Sequence, residues 1–470
     1  MFIAHHIQEV HIWRMNMYDV VVIGAGVAGC DVANLLAKGG KSVCLIDKSE
    51  QNVGGTCLNE GCIPAKNFLE TANWIKKSDY FKSCGANIVV DNFDIDALKS
   101  NTQNLITLQK NGIFATLKKN KVDIKYGVAS FIDKNSIQIV SQENSEILKA
   151  KDIVISTGST HRDHPTISLY GDKIISSKEV FELKQIPKSI LIIGGGAIGC
   201  EFATFFNALG VDVDISEFTP NLIPTEDIDI SKALKRELEK KSINVYLNSN
   251  ITQCDIKNNG IDVTIDMGKK TEQKIYDKVL ISIGRVPNIK DLNLEKLNIK
   301  TKNDFILVDD NLRVEKYENI YAIGDTIPTA ALAHMASYEA KRVASVILQK
   351  DTFVKDTIFP SVIFSTPQVA SVGKSEKELK QNDIKYKVKK HFFKSSSKAK
   401  IKGDDSGYIK IVYDEVSEQI LGASIIGNDS TELIHQFLII INTQLTLSDI
   451  SKMIFAHPTL SESIMELTSS

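Results

Sequence analysis

Two cysteines five residues apart, Cys57 and Cys62, are the side chains in this sequence best suited to chemistry. The chain has 470 residues and seven cysteines, an odd number with no disulfide scaffold, so most are expected to be thiols in a reducing compartment. There a single close pair is more often catalytic or redox-sensing than structural. In an unbroken helix the two Cα atoms would lie about 7.5 Å apart along the axis and on nearly opposite faces, and no disulfide could close. The chain must therefore bend within Cys57-Leu58-Asn59-Glu60-Gly61-Cys62. Gly61 permits the bend, and Pro64 occupies the first turn of the helix that follows. Cys62 then sits at a helix N-terminus, where a thiolate is stabilised. A zinc half-site competes with this reading, but no second Cys or His pair stands at ligand spacing. Cys30, Cys44 and Cys200 fall inside helical or strand patterns and read as small buried residues; Cys84 and Cys254 carry no motif and are read likewise.

Lys66 follows Cys62 by four residues, on the same helical face. It is either a surface lysine or, beside a flavin, a cation that stabilises the anionic reduced ring. Far downstream, Phe455-Ala456-His457-Pro458-Thr459-Leu460-Ser461-Glu462 pairs a histidine with a carboxylate. A general base with its orienting acid is one reading. Thr459 and Glu462 also form a Thr-x-x-Glu capping box, and spacing leaves both readings open.

The elements that must position these residues announce themselves through glycine. Tyr18 to Ile23 is a short β-rich apolar run, Gly24-Ala25-Gly26-Val27-Ala28-Gly29 a turn, Cys30 to Lys38 a helical pattern, and Ser42 to Ile46 a second strand closed by Asp47. The unit recurs at Ser189 to Ile193, Gly194-Gly195-Gly196-Ala197-Ile198-Gly199, Cys200 to Leu209, and Val211 to Ile215 before Glu217. In both copies the acid falls twenty-three positions after the first glycine, close to the spacing that puts a carboxylate on a ribose hydroxyl. One such motif is weak evidence, whereas two in full strand-turn-helix context imply two dinucleotides. The glycines let the backbone approach a pyrophosphate, which then meets the unpaired amides and positive end of the helix. Glu217 favours an unphosphorylated ribose, hence NAD over NADP. Two further endings echo each other, Ile153 to Gly158 and Val279 to Arg285. A helix is predicted near Ala330 to Leu348, and from about residue 349 strands followed by helices suggest a separate α+β domain.

Composition bounds the rest. Hydrophobic residues at 43%, charged residues at 24% and a net charge of -2 give no excess that would attract nucleic acid. No run approaches the roughly 18 apolar residues of a membrane span. The first 17 residues have no secretory pattern, so a cytoplasmic location is expected; with Met15 and Met17 at hand, this leader reads as an upstream start assignment. The lysine-rich stretch Lys389 to Lys402 reads as a solvated loop, with docking of an acidic partner domain as the alternative.

With these residues assembled, the chain resembles the class I pyridine nucleotide-disulfide oxidoreductases, and within them the dihydrolipoyl dehydrogenase branch most closely. The carrying segments are Gly54 to Lys66, Gly194 to Glu201, Ser282 to Asn288, Ile320 to Asp325, Leu332 to Ala336 and Ala456 to Glu462. The resemblance implies an α/β fold of two Rossmann-like domains and a C-terminal α+β dimerisation domain. Its parts would be 1–158 and 286–348 for FAD, 159–285 for NAD, and 349–470 for the dimer interface. It implies one tightly bound FAD per subunit, held by Gly24, Gly26, Gly29, Asp47, Gly55, Thr56, Lys66, Ala129, Thr157, Gly158, Gly324, Asp325, Leu332, Ala333 and His334. NAD would be held by Gly194, Gly196, Ile198, Gly199, Glu217, Ile251, Gly284 and Arg285. Cys57 would exchange with substrate and Cys62 would contact the flavin. His457, oriented by Glu462, would serve the partner subunit's cysteines in a homodimer, and Glu201 would pair with Lys66. The implied partner is a lipoyl domain of a 2-oxoacid dehydrogenase or glycine cleavage complex, with no nucleic acid and no membrane.

The chain departs from the family pattern at Asp47, where glutamate is usual, at Ala65, where serine is common, and at Phe455, where a second histidine often stands. Rival readings are a relative with another disulfide substrate and a non-catalytic flavoprotein subunit. Mercuric reductases typically end in a cysteine pair, unlike Thr468-Ser469-Ser470, and glutathione reductases prefer NADP, whose phosphate Glu217 would repel.

Overall fold

In a computed structural model of the protein, residues 17–90, 92–142, 144–350 and 357–469 are described. Apart from Met17, the leader lies outside the described residues. The chain separates into two compact units, one made of 1–59, 108–160 and 286–355, the other of 60–107, 161–285 and 356–470.

The first unit is built on β1 (Met17–Ile23), α1 (Val27–Lys38) and β2 (Val43–Asp47). The run Val20 to Ile23 is apolar without alternation because β1 pairs in parallel on both sides and is buried on both faces. Its helix α1 turns Ala28, Val32, Ala33 and Leu36 inward, the helical spacing of one apolar stripe. After α2 (Gly55–Asn59), α3 (Cys62–Ser83) and α4 (Ile95–Lys119) come β3 (Asp123–Tyr126), β4 (Val128–Asp133), β5 (Ser136–Val140) and β6 (Ser145–Ile155). The sheet runs β3-β2-β1-β6-β5-β4, with Ile320–Ala322 added in parallel to β6. The long strand β6 serves two partners. Its first half pairs antiparallel with β5, and its second half lies parallel to β1.

In the second unit the parallel order is Asn244–Leu247, Asp212–Glu217, Ser189–Ile193, Lys278–Ile281, Ile174–Ser176. On it lie α5 (Ala197–Ala208) and α6 (Ile228–Lys240). Every residue of α5 from Gly199 to Phe206 is buried, as expected of a helix covered all round. One cover is α3, whose Phe68 ring lies 5.3 Å from Phe205 and 5.2 Å from Phe181. Such aromatic contacts add about 0.5–1.5 kcal/mol each to area burial, and they fix α3 against α5.

From Pro360 onward a five-stranded antiparallel sheet carries the helix Ser430–Asn442, with Ile409, Ile411, Ile425, Ile434 and Phe437 in its core. The α+β reading of this segment stands. The loop reading of Lys389 to Lys402 does not. Tyr386–Phe392 is a strand paired with Tyr408–Asp414, and Ser397–Ile401 is a short helix. The lysines did not force a loop because an edge strand leaves one face in water, and Lys390 finds Asp229 at 2.7 Å. The helix expected at Ala330 to Leu348 is α7 (Ala333–Ile347).

Candidate active site

The break between the cysteines is present. Cys57 lies in the five-residue α2, Glu60 and Gly61 interrupt, and Cys62 opens the 22-residue α3 with Pro64 in its first turn. Gly61 has φ -141° and ψ -115°, neither helical nor extended, so its place as the hinge is geometric. No side chain caps α3, which leaves its first amides and positive end to Cys62. Cys57 is half-buried and Cys62 exposed. Burial pushes the Cys30 thiol up to about 12 and raises Cys44 and Cys200 as well, so these three are inert filling. Cys84 does not follow them. It is exposed, because it caps the solvent end of α3.

One turn into α3, Lys66 Nζ lies 2.9 Å from both carboxylate oxygens of Glu201 on α5. Glu201 is 7% exposed, and its Oε1 also accepts the Phe364 N–H at 2.9 Å. The Lys66 ammonium stands 4.8 Å over the Phe364 ring. A buried carboxylate is costly unless paired and hydrogen-bonded, and Glu201 is both. The pairing expected from the resemblance is thus found; the Phe364 amide, 163 positions further along the chain, had no signal in the sequence.

The two glycine turns are built alike. Gly24 and Gly194 have φ +103° and +106°, and a Cβ on either would meet the carbonyl oxygen of Ser156 or Ser282 at 2.4 or 2.5 Å. A Cβ on Gly29 or Gly199 would stand 1.8 or 1.9 Å from the oxygen of Gly24 or Gly194, so the third glycine lets the helix close on its strand. The second glycine has no such reason. Around Gly26 only the Gly55 Cα comes near, at 3.8 Å, and around Gly196 nothing lies within 4 Å. Both are N-caps without a capping side chain, so the open space faces unpaired helix amides. An open, uncapped helix start of this kind has the room and the free amides that suit a pyrophosphate.

Asp47 Oδ2 accepts the Ala25 N–H at 2.7 Å, and Glu217 Oε2 accepts the Gly195 N–H at 2.6 Å. Each acid therefore ties its own turn. Ser156 and Ser282 do the same from the other side, their hydroxyls 2.9–3.1 Å from the carbonyls that open each turn. Sequence reasoning missed both serines, although they sit in the two strand endings that echo each other.

The other residues expected at FAD gather in the first unit. Gly55 meets Gly26, and Gly127, two residues before Ala129, donates its N–H to Asp47 O at 2.8 Å. Thr157 Oγ1 donates to Asn288 O at 2.6 Å, Asn288 N–H donates to Gly158 O at 2.8 Å, and Ser159 donates to Asp325. Gly324 lies against Ala28 of α1 and Ala336 of α7, which places the Leu332-Ala333-His334 helix start beside the first turn. Thr56 opens α2 next to Gly55. Lys66 belongs to the second unit. There, Gly284 O accepts the Arg162 N–H at 2.9 Å, Arg285 follows it, and Ile198 sits in the first turn of α5. Ile251 is buried among Ile193 and Ile281, and Ser249 just before it donates its N–H to Glu217 O at 3.0 Å.

At the far end, His457 Nδ1 lies 2.9 Å from Glu462 Oε1, while Glu462 Oε2 accepts the Thr459 N–H at 2.8 Å. Glu462 thus contacts the histidine with one oxygen and the Thr459 amide with the other, but the expected capping box does not form: the Thr459 hydroxyl donates to Ala456 O at 2.8 Å, and the helix begins only at Glu462. The Thr459 amide, and after it the His457 ring, hold the Glu462 carboxyl below its ordinary range, so it stays a carboxylate able to orient an imidazole. The histidine side chain is 72% exposed.

Comparison with known proteins decides the family. Residues 18–340 match the pyridine nucleotide-disulphide oxidoreductase domain, and residues 359–468 match the dimerisation domain of the same family. The chain belongs to the pyridine nucleotide-disulphide oxidoreductases. This oxidoreductase is 34% identical over 453 residues to dihydrolipoyl dehydrogenase 1, mitochondrial, of Arabidopsis thaliana, covering 95% of this chain and 89% of that one. It is also 34% identical over 449 residues to dihydrolipoyl dehydrogenase of Bacillus subtilis (strain 168), covering 95% and 97%. Among solved structures it is similar to the Cu(II) complex of the HOCl-induced flavoprotein disulfide reductase RclA from Escherichia coli. That likeness has TM-score 0.86 and 27% identity, covering 97% of this chain and 99% of that one. The oxidoreductase is thus an enzyme of the flavin disulfide type with a redox-active dithiol, using FAD and NAD, and its dimerisation domain supports a homodimer. Among the described residues no helix is long and apolar enough to cross a membrane, and no cluster of His, Cys, Asp and Glu could hold a metal ion.

Proposed function

We propose that this oxidoreductase is a dihydrolipoyl dehydrogenase, oxidising protein-bound dihydrolipoamide to lipoamide with reduction of NAD+ to NADH. The carrying observation is likeness over 95% of the chain to proteins of that name. Residues 1–158 and 286–348 would hold FAD, residues 159–285 NAD, and 349–470 the dimer contact.

In the oxidised enzyme Cys57 and Cys62 form a disulfide. A substrate thiolate attacks Cys57 Sγ, the Sγ–Sγ bond breaks, and Cys62 leaves as thiolate; the second substrate thiol then displaces Cys57 and closes the lipoamide ring. His457 of one subunit takes the proton of the attacking thiol beside the cysteines of the other, its tautomer fixed by Glu462. The exposure of that histidine fits a base that a second subunit completes. FAD, when bound, would supply a two-electron carrier between the thiols and the NAD that takes up hydride. Lys66, held by Glu201, stands one helical turn past Cys62. Glu217 discriminates against a phosphorylated ribose.

Anaerobic addition of dihydrolipoamide to the yellow holoenzyme should raise long-wavelength thiolate–flavin absorbance and then yield NADH when NAD is added. Cys57→Ser and Cys62→Ser should each abolish this turnover. The likeness to RclA favours a second reading, a reductase of another disulfide. Flavin reduction by NADH without any reaction with dihydrolipoamide would decide for it.

A further inference from the structure

The redox loop contains a charged residue that the chemistry above does not use. Glu60 stands between the cysteines, three positions after Cys57 and two before Cys62, in the short break that separates α2 from α3. Its carboxylate Oε2 lies 3.4 Å from Nζ of Lys178, with the side chains 35% and 51% exposed. We propose that Lys178 cancels the Glu60 carboxylate beside the redox thiols, so that this carboxylate does not suppress their ionisation. The proposal rests on the reading of Cys57 and Cys62 as the redox pair.

Chain geometry makes the carboxylate a near neighbour of the thiols whatever its rotamer. Two trans peptide units separate Glu60 from Cys62, which keeps their Cα atoms within about 7 Å. A lone carboxylate there would oppose thiolate formation, and a lone ammonium would favour it. With both present the two effects nearly cancel.

Lys178 is held in place by its own turn. The Ser176 N–H and hydroxyl both donate to Glu179 Oε2, at 2.8 and 2.6 Å, and the Lys178 N–H donates to Ser176 Oγ at 3.3 Å. Ser176 ends the strand registered against Ile281, one residue before Ser282 at the second glycine turn. The counter-charge to the redox loop is therefore supplied from the rim of the NAD-binding sheet. Two neighbouring charges already have partners of their own. Glu179 is bound by Ser176 and faces His161, and Lys66 is matched by Glu201.

The test reads the thiols directly. In holoenzyme reduced anaerobically with one equivalent of dithionite, the long-wavelength thiolate–flavin absorbance is followed against pH; alkylation of the thiols by iodoacetamide gives a second profile that needs no turnover. Glu60→Gln should lower the midpoint of both profiles, and Lys178→Met should raise it, each by about half a pH unit, as expected for a unit charge near 10 Å at a protein surface. The double variant should return to the parent value. Midpoints that do not move, or that move in the same direction, overturn the charge pair. Absence of any long-wavelength absorbance in the reduced parent overturns the redox reading itself, and the two failures are thereby distinct.

Discussion

At the scale of single residues, carboxylates in this protein hold two things at once. Glu201 takes Lys66 and the Phe364 amide, Glu462 takes His457 and the Thr459 amide, and Glu217 takes the Gly195 and Thr219 amides. A residue with a chemical role is thus also a tie in the fold, and substitution has two effects that must be separated. Glu217→Gln should leave the turn partly tied while weakening the ribose contact; we expect the KM for NAD to rise by about tenfold, the worth of one charge-assisted hydrogen bond, and the preference over NADP to fall. Steady-state kinetics with both coenzymes reads this. Glu462→Gln should lower turnover while leaving flavin content unchanged, and its pH–rate profile should shift because the histidine loses its anionic partner.

At the scale of elements, the glycine turns separate packing from binding. Gly199→Ala places a methyl 1.9 Å from the Gly194 oxygen, so the helix must back away from its strand; a loss of about 1–3 kcal/mol and of NAD binding should appear together in thermal melts and NADH titrations. Gly196→Ala meets no protein atom within 4 Å and has an extended φ of -74° and ψ of -171°. It should keep its melting temperature and still bind NADH at least about tenfold more weakly, because its methyl occupies the space for the pyrophosphate. These elements were legible in the sequence because a βαβ unit is local: strand, turn, helix and acid lie within one short window and repeat. The bend between Cys57 and Cys62 was legible for the same reason. Contacts made across long stretches of chain were not. Nothing near Glu60 points to Lys178, nothing near Glu201 to the Phe364 amide, and the lysines of 389–402 hid a strand because its ladder partner begins only at Tyr408.

At the scale of the whole molecule, the second unit is tied by a buried cation. Lys410, 3% exposed, lies 2.9 Å from both oxygens of Asp227, which caps α6, and within 3.0 Å of Asp229 and 2.5 Å of Glu376. Lys410→Met would take the buried cation from Asp227 and Glu376 and leave Asp229 to Lys390 alone, and we expect destabilisation of about 3–5 kcal/mol in chemical denaturation. Lys390 and Lys410 hold the Asp229 carboxyl down to about 2. Because the folded value lies below the ordinary one near 3.8, this pairing contributes fully above about pH 4 and is lost as pH falls toward 2. The acid limb of a stability–pH curve should therefore be shallower in the Lys410→Met protein than in its parent.

One turn made twice also sets what can compete with the coenzyme. On the proposed assignment the glycines, the helix end and the acid would read only an adenosine diphosphate, the portion that FAD and NAD share. On that same assignment FAD would shield the first copy, and the second would open each time its coenzyme departs. ADP should then inhibit competitively against NAD and not against the dithiol, so that flux through the enzyme would answer to the adenylate pool as well as to the supply of oxidised coenzyme.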